Sequence, residues 1–317
     1  MMLSRVADAL FWMGRYLERA DHLARAVGVT SGLELDLYGV LTEPVELEWT
    51  ALLAQYQQAP PLHREGEDAV TAVQRWLLTD IGNTGSVIAC VNRARNNARS
   101  IRGSISPPMW RELNKLHWRL SDVAFQERVA DSSHDFCEET QMGVLLFHGI
   151  CDATLIQDEG WHFIQMGRYL ERADKVLRTL DAKLGLFVAG EVTDLPVSVL
   201  QWAAVLKRCA AYEAYQRLSI GRVEPERIIE FLLTHPEFPH SVRFCLSRVF
   251  QSLGVVSGEP VVRGDTEPGR TVGRLVSDLT YLDRPTLGAA GLREFLSLSL
   301  QRCGLIGRLL QQQYSLQ

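Results

Sequence analysis

The chain has 317 residues, 46% hydrophobic and 22% charged, the proportions of a globular protein long enough to bury its core without disulfides or a structural metal. Its formal net charge of -5 argues against a general nucleic-acid binder, which needs a basic surface to gain from counterion release. The six cysteines, Cys90, Cys137, Cys151, Cys209, Cys245 and Cys303, lie far apart with no Cys-x-x-Cys pair and no histidine at zinc spacing, so they read as reduced core thiols.

Arg5 and Asp8 interrupt the first ten residues, so no signal-peptide core forms there. No apolar run approaches the ~20 residues of a membrane span, and a cytoplasmic protein without membrane association is expected. The first helix follows at once. At ~100° per residue, Leu10, Met13, Tyr16, Leu17, Ala20, Leu23, Ala24 and Val27 share one face, with Arg15, Glu18, His22 and Arg25 opposite. Pro60-Pro61 ends a segment, and Ser106-Pro107-Pro108 reads as a cap followed by a helix start. A second amphipathic helix carries Met166, Tyr169, Leu170, Ala173, Val176 and Leu177. Pro196 opens the helix that holds Trp202, Pro225 opens another, and residues 254–269 form the best long-loop candidate. Alternating β-branched runs are nearly absent. The expected fold is all-α, roughly a dozen helices in two tandem, diverged helical-bundle units packed together.

Duplication sets that organisation. Residues 13–21 and 166–174 both read MGRYLERAD, an offset of 166 − 13 = 153. Trp49 and Trp202 keep the same offset, while WLLT at 76–79 and FLLT at 231–234 are 155 apart. Ser86, Val87, Cys90 and Arg93 match Ser241, Val242, Cys245 and Arg248, also at 155. The units are placed at residues 1–153 and 154–317. The period is far too long for a solenoid.

The repeated helix keeps its polar face as well as its apolar one: Arg15, Glu18, Arg19 and Asp21 return as Arg168, Glu171, Arg172 and Asp174. A solvated face is free to drift, so both faces read as constrained. Two readings stay open. Glu18 and Glu171 are buried acceptors that tie helices together through arginines, or these groups line a cleft that binds a ligand. A second stretch, RARNNARSIR at 93–102, places Arg95, Arg99 and Arg102 within about 60° on a helix, with Asn92 near and Asn96 just beyond. Planar guanidinium forks suit carboxylate or phosphate. The other half has Phe250 and Gly254 in place of Arg95 and Arg99, so an anion site would sit in the first half. An intramolecular partner for the Glu18 helix, or a solvated face, is the alternative.

Fainter signals remain. Glu159 and His162 form a Glu-x-x-His pair, and His148 with Asp152 could add ligands, yet the second copy a di-metal bundle wants is only Glu237 to His240, broken by prolines. The plainer reading packs Trp161 and His162 near a helix start, with Asp158 and Glu159 complementing its dipole. Cys151 beside Asp152 reads as a core thiol rather than a nucleophile. No Walker loop, dinucleotide fingerprint or nucleophile elbow is present, and no cofactor is expected.

The stretches LSRVADALFWMGRYLERADHLAR, RARNNARSIRGSISPPMWRELNKL and EGWHFIQMGRYLERADKVLRTLD together resemble the bacterial alpha-E domain family, all-helical proteins with Glu-Arg motifs. The resemblance covers essentially the whole chain. It implies that the Glu-Arg motif falls on Glu18-Arg19 and Glu171-Arg172, and the Arg/Asn-rich helix on Arg93 to Arg102, with Asn96 where many relatives carry a glutamate. It implies partners encoded alongside: a circularly permuted ATP-grasp protein and a transglutaminase-like peptidase, in a system that makes or remodels a peptide. It assigns no catalytic residue. The leading expectation is a non-catalytic interaction protein holding a peptide or acidic ligand. The alternatives are an enzyme of the same pathway with Glu18 or Glu171 as base, and a di-metal carboxylate bundle.

Overall fold

The computed structural model describes residues 2–37, 44–56, 66–130, 132–188, 195–219, 223–258 and 266–314. Among them every regular element is helical. In chain order these are α1 (Ser4–Leu37), α2 (Pro44–Gln55), α3 (Ala69–Leu78), α4 (Val87–Ser100), α5 (Pro107–Leu120), α6 (Val123–Glu127) and α7 (His134–Thr154). Then come α8 (Glu159–Val188), α9 (Leu195–Arg208), α10 (Tyr212–Ser219), α11 (Pro225–Thr234), α12 (Val242–Ser257), α13 (Glu267–Thr280) and α14 (Arg284–Tyr314).

Local chemistry sets the helix ends. The Ser86, Ser106 and Ser241 hydroxyls accept from the amides of Ala89, Met109 and Phe244, satisfying the first donors of α4, α5 and α12. Pro107 and Pro225 occupy first-turn positions where a missing N–H costs nothing. The Asp158 carboxylate accepts from the amides of Gly160 and Trp161 at the start of α8. Pro60-Pro61 lies outside the described residues. Residues 254–269, expected as one long loop, are shorter than that where described: α12 continues to Ser257, ends on Gly258 in the left-handed region (φ 69°), and α13 begins at Glu267.

The two long motif helices, α1 and α8, cross at the centre of the molecule. Around them the packing partners run in parallel: α4 and α7 lie on α1, α12 and α14 on α8, α5 joins α4 to α7, and α13 joins α12 to α14. One contiguous apolar cluster runs through both halves, from Leu10 and Met13 through Cys90, Leu113 and Phe147 to Leu170, Trp202, Leu246 and Leu310.

The crossing is made at glycine. A Cβ on Gly14 would stand 2.4 Å from the Ile164 carbonyl oxygen, and one on Gly167 would stand 2.0 Å from that of Phe11. The relation is reciprocal, since 167 − 14 and 164 − 11 both equal 153. Only a residue without a side chain lets the two backbones approach so closely.

This crossing overturns one reading of the helix wheel. Glu18 and His22 lie opposite the apolar face of α1, yet both are buried. The wheel describes one helix against one core. Here α8 covers the second face of α1, so polar residues of both helices are enclosed together.

Candidate functional site

The enclosed polar residues pair across the crossing. Arg172 Nε and Nη2 donate to Glu18 Oε1 and Oε2 at 2.5 and 2.8 Å, and Arg168 Nε stands 3.8 Å from Glu18 Oε2. Reciprocally, Arg15 Nε donates to Glu171 Oε2 at 2.7 Å, and Arg19 donates from Nε to Oε1 at 2.6 Å and from Nη2 to Oε2 at 3.2 Å. Exchanging the two copies, 153 residues apart, turns one set into the other, so each copy of the motif supplies the cations for its mate's carboxylate. One turn on, Asp21 pairs with Arg25 and Asp174 with Arg178.

Electrostatics follow from this enclosure. Burial alone would raise the Glu171 pKa, but Arg19, Arg15 and Lys175 offset it and hold the carboxyl well below its ordinary value. Both oxygens of each glutamate are engaged by guanidiniums, so neither is free to abstract a proton. The pathway-enzyme reading, with one of them as base, therefore lacks a free base here. Burial lowers His22 to about 3, helped by Lys175 and Arg25, while its Nδ1 hydrogen-bonds the Tyr56 hydroxyl at 2.5 Å. Burial, with Arg168 and Arg172, also holds His148 well below its ordinary value.

A second buried polar layer lies further along the crossing. Arg208 Nη2 donates to Glu48 Oε2 at 2.8 Å and Thr30 Oγ1 at 2.9 Å, and Lys183 Nζ donates to Gln201 Oε1 at 2.6 Å. Burial brings Lys183 down to about 8, against the opposing pull of Glu48. Thr30 and Lys183, Glu48 and Gln201, and Gln55 and Arg208 are again positions 153 apart. The 153-residue offset of these pairs was the available signal, but their chemistry has diverged, so the motif search did not find them.

The arginine stripe lies elsewhere, facing α5, and it is not carried by one helix as expected: Arg95 and Arg99 are on α4, but α4 ends at Ser100 and Arg102 falls in the short 3-10 turn Arg102–Ser104 that follows. Arg95 Nε donates to Asn114 Oδ1 at 2.7 Å, and its guanidinium lies 5.7 Å from the Trp110 ring and 5.6 Å from the Trp118 ring. Arg102 lies 4.8 Å from the Trp110 ring. Arg99 and Asn96 are exposed. None of these three arginines has a carboxylate partner among the described residues, and the Trp118 side of the patch is open to solvent, with 64% of that residue exposed. Planar stacking leaves guanidinium edges free for in-plane hydrogen bonds. Sequence reading found the arginines and missed Trp110 and Trp118, eight residues apart on α5.

The remaining candidates do not converge. Glu159 Oε2 accepts from the Met2 amide at 2.8 Å, and His162 Nδ1 bonds the Ser252 hydroxyl at 3.1 Å. Among the described residues, no group of three or more His, Cys, Asp or Glu side chains is arranged to hold a metal ion. All six cysteines are free and buried, and burial pushes the Cys151 thiol up to about 12. No described helix is long and apolar enough to cross a membrane.

The fold and the paired motifs thus define an all-helical protein locked by reciprocal Glu-Arg pairs. The chain belongs to the Alpha-E family, described as a predicted alpha-helical domain with a conserved ER motif, whose model matches residues 2–314. It is 26% identical over 287 residues to an uncharacterised protein of Mycobacterium bovis and, at 26% and 25%, to uncharacterised proteins of two Mycobacterium tuberculosis strains. Each match covers 84% of this chain but only 31% of the relative, so the chain spans about a third of the length of the curated relatives it matches. No solved structure matches it.

Proposed function

We propose that this Alpha-E protein is a non-catalytic binding partner in a peptide-forming or peptide-modifying system that also contains a circularly permuted ATP-grasp ligase and a transglutaminase-like peptidase. The observation that carries the reading is the open patch in which Arg95 and Arg102 lie over Trp110 and Trp118, with exposed Arg99 on the same helix as Arg95. Here cations without carboxylate partners among the described residues stand beside aromatic faces. Such a surface grips an acidic, extended chain through guanidinium–carboxylate forks and apolar contact. The saturated Glu18 and Glu171 support a structural role for the two motif carboxylates and leave the patch as the surface for this partner. The greater length of the relatives fits a module that acts beside other polypeptide.

The test is co-purification of the chain with the ATP-grasp protein, with and without ATP, read by native mass. Wild type is expected to form a defined complex. The doubly substituted Arg95→Ala/Arg99→Ala protein is expected to lose it while keeping the wild-type helical signal. A folded double variant that binds as wild type would remove the patch from the reading. Absence of any wild-type complex would remove the partner.

A further inference from the structure

The two ends of the helix crossing differ in charge, and the difference traces to two positions. At the Glu18 end, Glu18, Asp21 and Asp152 face Arg172, Arg25 and Arg168, three anions to three cations. At the Glu171 end, Glu171 and Asp174 face Arg15, Arg19, Lys175 and Arg178, two anions to four cations. Lys175 is 153 residues beyond His22, so one end gains a cation where the other holds a neutral imidazole. Asp152, which stands 4.0 Å from Arg168 Nη1, is matched by Gly307, whose missing Cβ would lie 3.4 Å from Arg15 Nη1. The offset is 307 − 152 = 155, as for Ser86 and Ser241. Where one arginine has its own carboxylate, its counterpart has a glycine.

This end is also reachable. The side chains of Arg15 and Arg19 are 17% and 24% exposed, against 4% for Arg172. They lie along a half-buried stripe of α1 with Trp12 and Tyr16, which stack at 5.4 Å. Arg15 lies over Trp12, Arg19 over Tyr16, and exposed Arg93 of α4 over the same Tyr16 ring at 5.6 Å. Glu171 takes one edge of Arg15 and of Arg19, leaving N–H groups of each turned elsewhere. Arg93 has no carboxylate partner among the described residues. Three planar donors therefore gather beside an aromatic pair with a surplus of positive charge.

We infer that Arg15, Arg19 and Arg93 form a binding site for a ligand oxyanion, a carboxylate or a phosphate, that takes the place Asp152 fills at the other end of the crossing. The site lies on a different face of α4 from Arg95 and stands independently of the partner proposed above.

The experiment is calorimetric titration of the full chain with sodium phosphate and, separately, sodium acetate, at constant ionic strength in chloride. One site per chain is expected. A response to phosphate alone assigns a phosphoryl group, to acetate alone a carboxylate, and to both the shared oxyanion chemistry. Gly307→Asp supplies the missing carboxylate and is expected to weaken binding at least tenfold, while Gly307→Ala binds as wild type. Arg93→Ala is expected to weaken binding about tenfold, the loss of one charge-assisted contact. It lies at an exposed position, so it keeps the test alive should Gly307→Asp fail to fold. Absence of binding by either anion, or equal binding by wild type, Gly307→Asp and Arg93→Ala, would overturn the inference.

Discussion

Glu18→Gln and Glu171→Gln remove the same charge from mirrored positions, and the structure predicts unequal costs. Glu18 is the acceptor for Arg172, whose side chain is only 4% exposed, and the nearest carboxylate to Arg168, 12% exposed. Glutamine keeps one acceptor oxygen but turns an N–H₂ toward a guanidinium that can only donate. Arg172 cannot turn to water, so a buried charge is stranded, at a cost of about 3–5 kcal/mol. Arg15 and Arg19, at 17% and 24% exposure, can rotate outward when Glu171 is changed, so that loss is set at about 1.5–3 kcal/mol. With an unfolding entropy of about 2.1 cal/mol/K per residue over 317 residues, 1 kcal/mol moves Tm by roughly 1.5 °C. Calorimetry should then show a fall of roughly 5–8 °C for Glu18→Gln and roughly 2–5 °C for Glu171→Gln. Replacing Glu18 and Arg172 together by methionine should recover most of the loss, since it removes the pair without orphaning either charge. A Glu171→Gln protein as damaged as Glu18→Gln, or a double-methionine protein no better than Glu18→Gln, would refute the reasoning.

Gly14→Ala and Gly167→Ala should each cost about 3 kcal/mol or more, because the new carbon meets a backbone oxygen that cannot move aside, and Gly167→Ala should be the worse of the two. Urea unfolding at matched pH checks both. Stability should fall as pH drops from about 6.5 toward 3. The unfolded chain takes up protons that His22, held at about 3, and His148 refuse in the folded state, so the stabilisation present above pH 6.5 is lost on acidification. His148→Gln should flatten the profile of Tm against pH between 7 and 5 if the protein folds, and an unchanged slope would remove His148 as a source. Below about pH 4.5, protonation of Glu171 in the unfolded chain adds to the same trend. Under native conditions Ellman's reagent should label fewer than one thiol per chain within minutes, and all six after denaturation, because every cysteine is buried.

What the sequence could reveal was local. Ser106 before Pro107-Pro108 reads as a helix start because a cap is made by neighbours in the chain, whereas Ser86 and Ser241 stand out in the sequence only as repeat landmarks and prove in the structure to cap α4 and α12. The doubled MGRYLERAD marked both motif helices. It could not say what the polar face meets, because Arg15 and Glu171 lie 156 residues apart and a helix wheel has no second helix in it. Gly14 and Gly167 carried a readable clue, since glycine inside a strong helix is costly unless something packs there. Trp110 and Trp118 were unremarkable on α5 until Arg95 was seen lying between them. The oxyanion site depends on Gly307, a residue whose meaning is the absence of the carboxylate found at Asp152.

The glycine crossing also sets a clock for the chain as it is made. The surface of α1 that receives α8 is backbone at Gly14 and charge at Glu18, a combination that no local segment can cover. Its partner is synthesised 153 residues later, which at ~5–20 residues per second leaves α1 waiting roughly 8–30 s on the ribosome. Until then the carboxylate of Glu18 is solvated rather than paired, so the charge that later locks the crossing first serves to keep the waiting helix wet.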